Sequence, residues 1–127
     1  MAKRQSFTLE FPIRCTTNVL YNLLSTSAGL SEWFAEKVDS KEHYFYFTWE
    51  EGNVEMAEQI ATVQDTSVRY RWEWMDEEEY FEFRIEKSTI TSGIILWVED
   101  FCEPGEEGDQ ENLWESQIDT LRRRLGN

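Results

Sequence analysis

"VRYRWEWMDEEEYFEFRIE", residues 68 to 86, is the stretch on which the fold turns. Val68, Tyr70, Trp72 and Trp74 occupy alternate positions, with Arg69, Arg71 and Glu73 between them. After the acidic run "DEEE" at 76 to 79 the same period resumes, with Phe81, Phe83 and Ile85 set against Glu82, Arg84 and Glu86. A period of two sends successive side chains to opposite faces, so this piece reads as two strands joined by a solvated turn. One face is aromatic and the other charged, and the aromatic face needs a cover.

The same period extends in both directions. Upstream, Phe45, Phe47 and Trp49 alternate with Tyr44, Tyr46 and Thr48, "EGN" at 51 to 53 is a hairpin turn, and "QDTS" at 64 to 67 another. Residues 54 to 63 between them read as a strand with unassigned faces. Downstream, a last strand at about 90 to 101 carries Ile94, Leu96 and Val98 on one face, Ile95 and Trp97 on the other. At the front, Phe7, Leu9, Phe11 and Ile13 alternate, and Pro12, which lacks a ladder donor, puts that strand at an edge or at its end.

Two regions change to helical spacing. Thr16 or Thr17 caps a helix carrying Val19, Leu20, Leu23 and Leu24, which Gly29 stops. Ser31 caps a very short second helix, 31 to 35, with Leu30 and Phe34 one turn apart and Trp33 beside them. From Asp109, after the loop "CEPGEEGD", Trp114, Ile118, Leu121 and Leu125 form one stripe, widened by Leu113. Acids at the start of this helix (Glu106, Glu107, Asp109, Glu111) and Arg122, Arg123 and Arg124 at its end complement the helix dipole. The order predicts an α+β domain spanning 1–127: an antiparallel sheet of about six strands, two short helices after the first strand, and a long C-terminal helix over the apolar face. Burying the stripe is worth about 1.5–3 kcal/mol per side chain.

Composition narrows the function. The 127 residues carry 8 Phe, 6 Trp and 5 Tyr, enough to fill a core, line a cavity, or both. A net charge of −14 argues against nucleic acid and anionic membranes, since a phosphate backbone calls for a basic patch. No apolar run reaches the ~18 residues of a membrane span, and the N-terminus shows no signal peptide. Cys15 and Cys102 then read as reduced thiols in a cytoplasmic protein.

The layout resembles the helix-grip fold of the START-like superfamily, in which a curved antiparallel sheet wraps around the C-terminal helix and two short helices close one end. The resemblance rests on "LSEWFAEKV" (30–38), "FYFTWEEGNVEMAEQI" (45–60), "RYRWEW" (69–74), "FEFRIE" (81–86), "LWVEDF" (96–101) and "LWESQIDTLRRRLG" (113–126). Within the superfamily the chain looks most like small proteins related to the activator of the ninety-kilodalton heat-shock chaperone. The resemblance implies that Trp33 and Phe34 plug one end of the barrel-like core, or that Trp33 forms part of a cavity wall.

No catalytic set emerges. One histidine and two distant cysteines make no metal site of recognised spacing, and "DEEE" lacks the geometry of a calcium loop. His43 sits at a strand start beside Lys41 and Glu42, the setting of an exposed turn residue. No GxSxG or Walker motif is present, and neither metal nor cofactor is expected. What remains is space between sheet and helix, with Trp33, Phe47, Tyr70, Trp72, Phe83, Trp114 and Ile118 as wall residues. Glu58 joins them if it points inward; the alternative is Glu58 in solvent and Gln59 inside. The first expectation is a non-enzymatic domain binding a hydrophobic or lipid-like small molecule. The second is a protein-interaction module or chaperone co-factor using the acidic outer face of Glu82 and Glu86. A polyketide cyclase-like enzyme comes third.

Overall fold

A computed structural model describes residues 4–91 and 93–127. Residues 1–3, part of the leader reading, and Ser92, inside the expected last strand, lie outside them. The chain runs β1 (Gln5–Ile13), α1 (Thr17–Ser25), α2 (Ser27–Leu30), β2 (Lys37–Lys41), β3 (Tyr44–Thr48), β4 (Val54–Val63), β5 (Ser67–Trp72), β6 (Phe81–Lys87), β7 (Ile94–Cys102) and α3 (Glu107–Leu125). The strands form one curved antiparallel sheet ordered β1-β7-β6-β5-β4-β3-β2. β2 to β7 follow one another as a meander, and β1 returns to pair with β7 from Gln5↔Cys102 to Ile13↔Ile94. Pro12 thus lies on an edge strand, as its missing N–H requires.

The sheet has seven strands rather than six. The additional one, β2, buries a single side chain, Val38, and is held by backbone pairing to β3 from Lys37↔Thr48 to Lys41↔Tyr44. Its side chains carry no alternation for a sequence reading to detect.

The expected second helix is also displaced. Thr26, not Ser31, caps it, with its hydroxyl accepting from the Gly29 N–H at 3.0 Å. Trp33 and Phe34 follow in a turn, and the Ser31 hydroxyl accepts instead from the Val38 N–H at 2.9 Å, joining that turn to β2. Gly29 does not stop α1. It lies within α2, where a Cβ would stand 2.2 Å from the Asn22 carbonyl oxygen and 2.6 Å from the Leu23 Cα. Its absent side chain lets the two helices touch.

The aromatic face of β5 and β6 is buried as expected, with Val68, Tyr70, Phe81 and Phe83 essentially inaccessible, and α3 covers it with Trp114, Ile118 and Leu121. Four positions differ. β5 ends at Trp72, so Trp74 leaves the face and is 53% exposed. Leu113 stands off the stripe and is exposed. Glu79, expected in a solvated turn, is buried against Arg4 at 3.1 Å. Glu82, expected as open acidic surface, is buried between Arg69 (2.9 Å) and Arg84 (2.8 Å).

The unassigned faces of β4 have a physical cause. Its register with β5 shifts between Gln59 and Ala61, a β-bulge at Ile60. Before the bulge, Ala57 pairs with the buried Phe45 and Trp72; after it, Thr62 pairs with the buried Val68. Inward positions switch from odd to even numbers within one strand, so no single period describes it.

Candidate functional site

Trp33, Phe47, Tyr70, Trp72, Phe83, Trp114 and Ile118 all converge between the sheet and α3, and all are buried. They fill that space. Phe34 sits among Trp33 (5.2 Å between centroids), Phe47 (5.5 Å) and Trp114 (5.8 Å). Phe83 meets Trp114 at 5.7 Å, and Trp72 meets Phe47 at 5.0 Å and Phe81 at 5.1 Å. Edge-to-face and stacked contacts at such distances belong to a packed aromatic core. Glu58 is not in it. It lies on the outer face, 3.7 Å from His43, while Gln59 occupies the inward position, so the inward reading of Glu58 is corrected.

Polar groups anchor this core to α1. A helix end leaves its last four carbonyls without intrahelical partners. Here the Thr26 hydroxyl donates to the Asn22 carbonyl (2.8 Å), Trp33 Nε1 to Leu23 (2.8 Å), the Tyr70 hydroxyl to Leu24 (2.6 Å) and Gln59 Nε2 to Ser25 (2.9 Å). Burial holds the Tyr70 phenol well above its ordinary range, so it stays a donor.

Beside the N-terminal part of α3, Asp100 of β7 is buried and accepts from Trp114 Nε1 (3.0 Å) and from the Phe101 N–H (2.8 Å). Burial pushes its carboxyl up to about 6, against those two donors, which favour the ionised form. Cys15 and Cys102 are free thiols, each raised by burial. His43 is half exposed on the outer face. Among the described residues no three His, Cys, Asp or Glu side chains come together as a metal site.

The space that remains open lies at the side of the aromatic core. A cleft of about 760 Å³ runs between the turn after α2, the β3–β4 hairpin and the middle of α3. Trp33, Phe34, Trp49 and Leu113 give it an apolar floor; Glu32, Glu36, Glu50, Glu51 and Glu55 bring carboxylates. Glu55 enters from the inward phase of β4, opposite Phe47. Its two oxygens accept from different indoles, Trp49 Nε1 at 2.9 Å and Trp74 Nε1 at 3.1 Å. Gln117 lines the same cleft, and its Oε1 is buried with no hydrogen-bond partner, the one such side-chain atom among the described residues.

Of the eight residues proposed from sequence, Trp33 alone borders this cleft. Trp49, Glu55, Leu113 and Gln117, which also line it, were not among those eight. Gln117 had a usable signal: it follows Trp114 by three residues and precedes Leu121 by four, which puts a polar group on the helix's buried side.

Comparison with known proteins agrees with this architecture. A solved solution structure from Bacteroides fragilis is 31% identical, with 97% of this chain and 92% of that chain covered and a TM-score of 0.68. A Mesorhizobium loti crystal structure is 19% identical, covering 96% and 97%, with a TM-score of 0.77. The Aha1 dimer from Colwellia psychrerythraea is 13% identical, covering 93% of each chain, with a TM-score of 0.76. No curated protein matches the chain. The family model of the START-like superfamily domain matches residues 1–127, and the chain belongs to that superfamily.

Proposed function

We propose that this START-like domain binds a small amphipathic molecule in the cleft between the turn after α2, the β3–β4 hairpin and α3, without acting on it chemically. The carrying observation is the unpartnered, buried Gln117 Oε1 beside an aromatic floor. A buried acceptor left unpaired costs free energy, about 1–3 kcal/mol, that a ligand donor recovers. An aromatic floor rimmed by many polar groups suits a ligand that is itself amphipathic. The ligand lies over the aromatic core rather than inside it, because the rings between sheet and helix already touch.

The outer face supports the interaction reading less well. Glu82 is already neutralised by Arg69 and Arg84, and Arg84 also reaches Glu99 at 3.4 Å. Around Glu82, then, the face offers a partner little unpaired charge; Glu86, further along β6, stays exposed.

Titration of ¹⁵N-labelled protein with a panel of fatty alcohols, sterols, aromatic polyketides and aryl amines tests the site. At least one class should give saturable shifts centred on the Trp33 and Trp49 indoles and the Gln117 amide. Ser116→Trp, which places a ring in the cleft from an exposed position, should abolish them. Binding that survives Ser116→Trp, or no saturable shift from any class, overturns the proposal.

A further inference from the structure

The cleft's lining is one-sided in its chemistry. It contains no lysine, arginine or histidine. Glu32 alone among its carboxylates has a cationic partner among the described residues, Arg124 at 3.0 Å on the rim. Glu55 is the informative one. The Trp49 and Trp74 indoles orient both of its oxygens but bring no charge, and each oxygen retains room for a further donor. Trp49 adds an aromatic ring beside that carboxylate, and cations favour such rings. Gln117 Oε1, reached from a different element, is a second acceptor without a donor. An oriented carboxylate, a second acceptor without a donor, unneutralised charge and an aromatic floor complement a group that has donors only and carries positive charge.

We propose that the ligand's polar end is a cation, an ammonium group on an aromatic or short alkyl body, with the ammonium between Glu55 and Gln117 and the body over Phe34, Trp49 and Leu113. This rests on the cleft being the binding site, and it disfavours carboxylate and phosphate ligands, which would meet Glu55 and its neighbours with like charge.

Three probes of nearly one shape separate the possibilities: 4-phenylbutylamine, 4-phenylbutan-1-ol and 4-phenylbutanoate, each titrated at 150 mM salt. The indole N–H signals of Trp49 and Trp74 and the Gln117 side-chain amide report occupancy. The amine should bind at least about tenfold more tightly than the alcohol, as charge-assisted hydrogen bonds to an oriented carboxylate do, and the carboxylate should bind weakest. Glu55→Gln, which removes one charge from a strongly acidic protein, should bring the amine to within about twofold of the alcohol. Equal binding of amine and alcohol overturns the cation assignment and leaves the cleft site standing. An amine preference that persists in Glu55→Gln marks diffuse attraction to the overall negative charge and overturns it too. No saturable shift from any probe removes the cleft reading as well. If the variant fails to fold, the wild-type amine-to-alcohol ratio repeated at about 500 mM salt makes the same separation: a contact pair at Glu55 keeps most of its preference, whereas diffuse attraction is screened away and a lost preference overturns the assignment.

Discussion

Asp100 and Glu55 are two carboxylates held by indole N–H groups, in surroundings that differ in one respect. Asp100 is 8% exposed, and its indole, Trp114, belongs to the helix that covers the sheet. Glu55 is partly exposed, and one of its indoles, Trp74, is itself 53% exposed. The same hydrogen bond therefore serves different ends. Closed off, it couples helix to sheet and shifts a proton equilibrium. Open, it aims a carboxylate at a cleft and leaves the remaining lone pairs available. Burial, rather than partner identity, separates a structural carboxylate from a recognition group.

The largest expected effect breaks the pair apart at the indoles. Trp114→Ala should destabilise the protein by about 3–5 kcal/mol, the range for truncating a buried aromatic. Trp74→Ala should cost about 1 kcal/mol or less, as an exposed side chain does. Equal midpoint shifts for the two variants in urea melts would erase the distinction drawn here.

A smaller effect concerns pH. The Asp100 carboxyl is raised by burial to about 6, so the folded state binds its proton more tightly than the unfolded chain does. Its contribution is fullest below about pH 4 and is lost as pH rises to about 6, on the order of 3 kcal/mol in all. Asp100→Asn keeps an acceptor for Trp114 and removes the titration, so the wild-type-minus-variant stability should fall across that window. Parallel pH profiles for the two proteins would sink this account of Asp100.

The smallest effect sharpens the other side. Glu55→Gln should change stability by about 1 kcal/mol at most, because water solvates much of what the carboxylate loses. A loss near that of Trp114→Ala would place Glu55 in the structural class and empty the cleft of its proposed role.

The inner faces of β3, β5, β6 and β7 and the stripe of α3 were legible in sequence because each buries every second or every third-to-fourth side chain. β2 was not, since only Val38 is buried and the pairing is in the backbone. The first half of β4 was not, since the odd-numbered phase that sends Glu55, Ala57 and Gln59 inward breaks at the bulge at Ile60 and does not continue through the strand. The site followed those two gaps. Residues on regular faces were found, and they turned out to fill the core. The cleft lies where regular elements run out: the turn at 31–36, the end of the β3–β4 pair at Trp49 and Glu55, and Leu113 and Gln117 on the flank of the helix stripe. On the acidic outer face, plain in sequence, Glu82 lost its free charge to Arg69, which cross-strand pairing sets opposite it, and to Arg84, two residues further on the same face of β6.

The four carbonyls at the end of α1 have a consequence for motion. Their donors come from the residue after the helix, the cleft-side turn, β5 and β4, through Thr26, Trp33, Tyr70 and Gln59. Trp33 cannot leave its place without uncovering the Leu23 carbonyl, so the cleft wall does not rearrange on the picosecond-to-nanosecond scale of a free side chain. It yields with the end of α1 as one cooperative unit, on the microsecond-to-second scale of local unfolding. Between such openings the Trp33 wall keeps its place, and a ligand meets a preformed floor there, with the Gln117 side chain, whose Oε1 is covered, left to turn toward it.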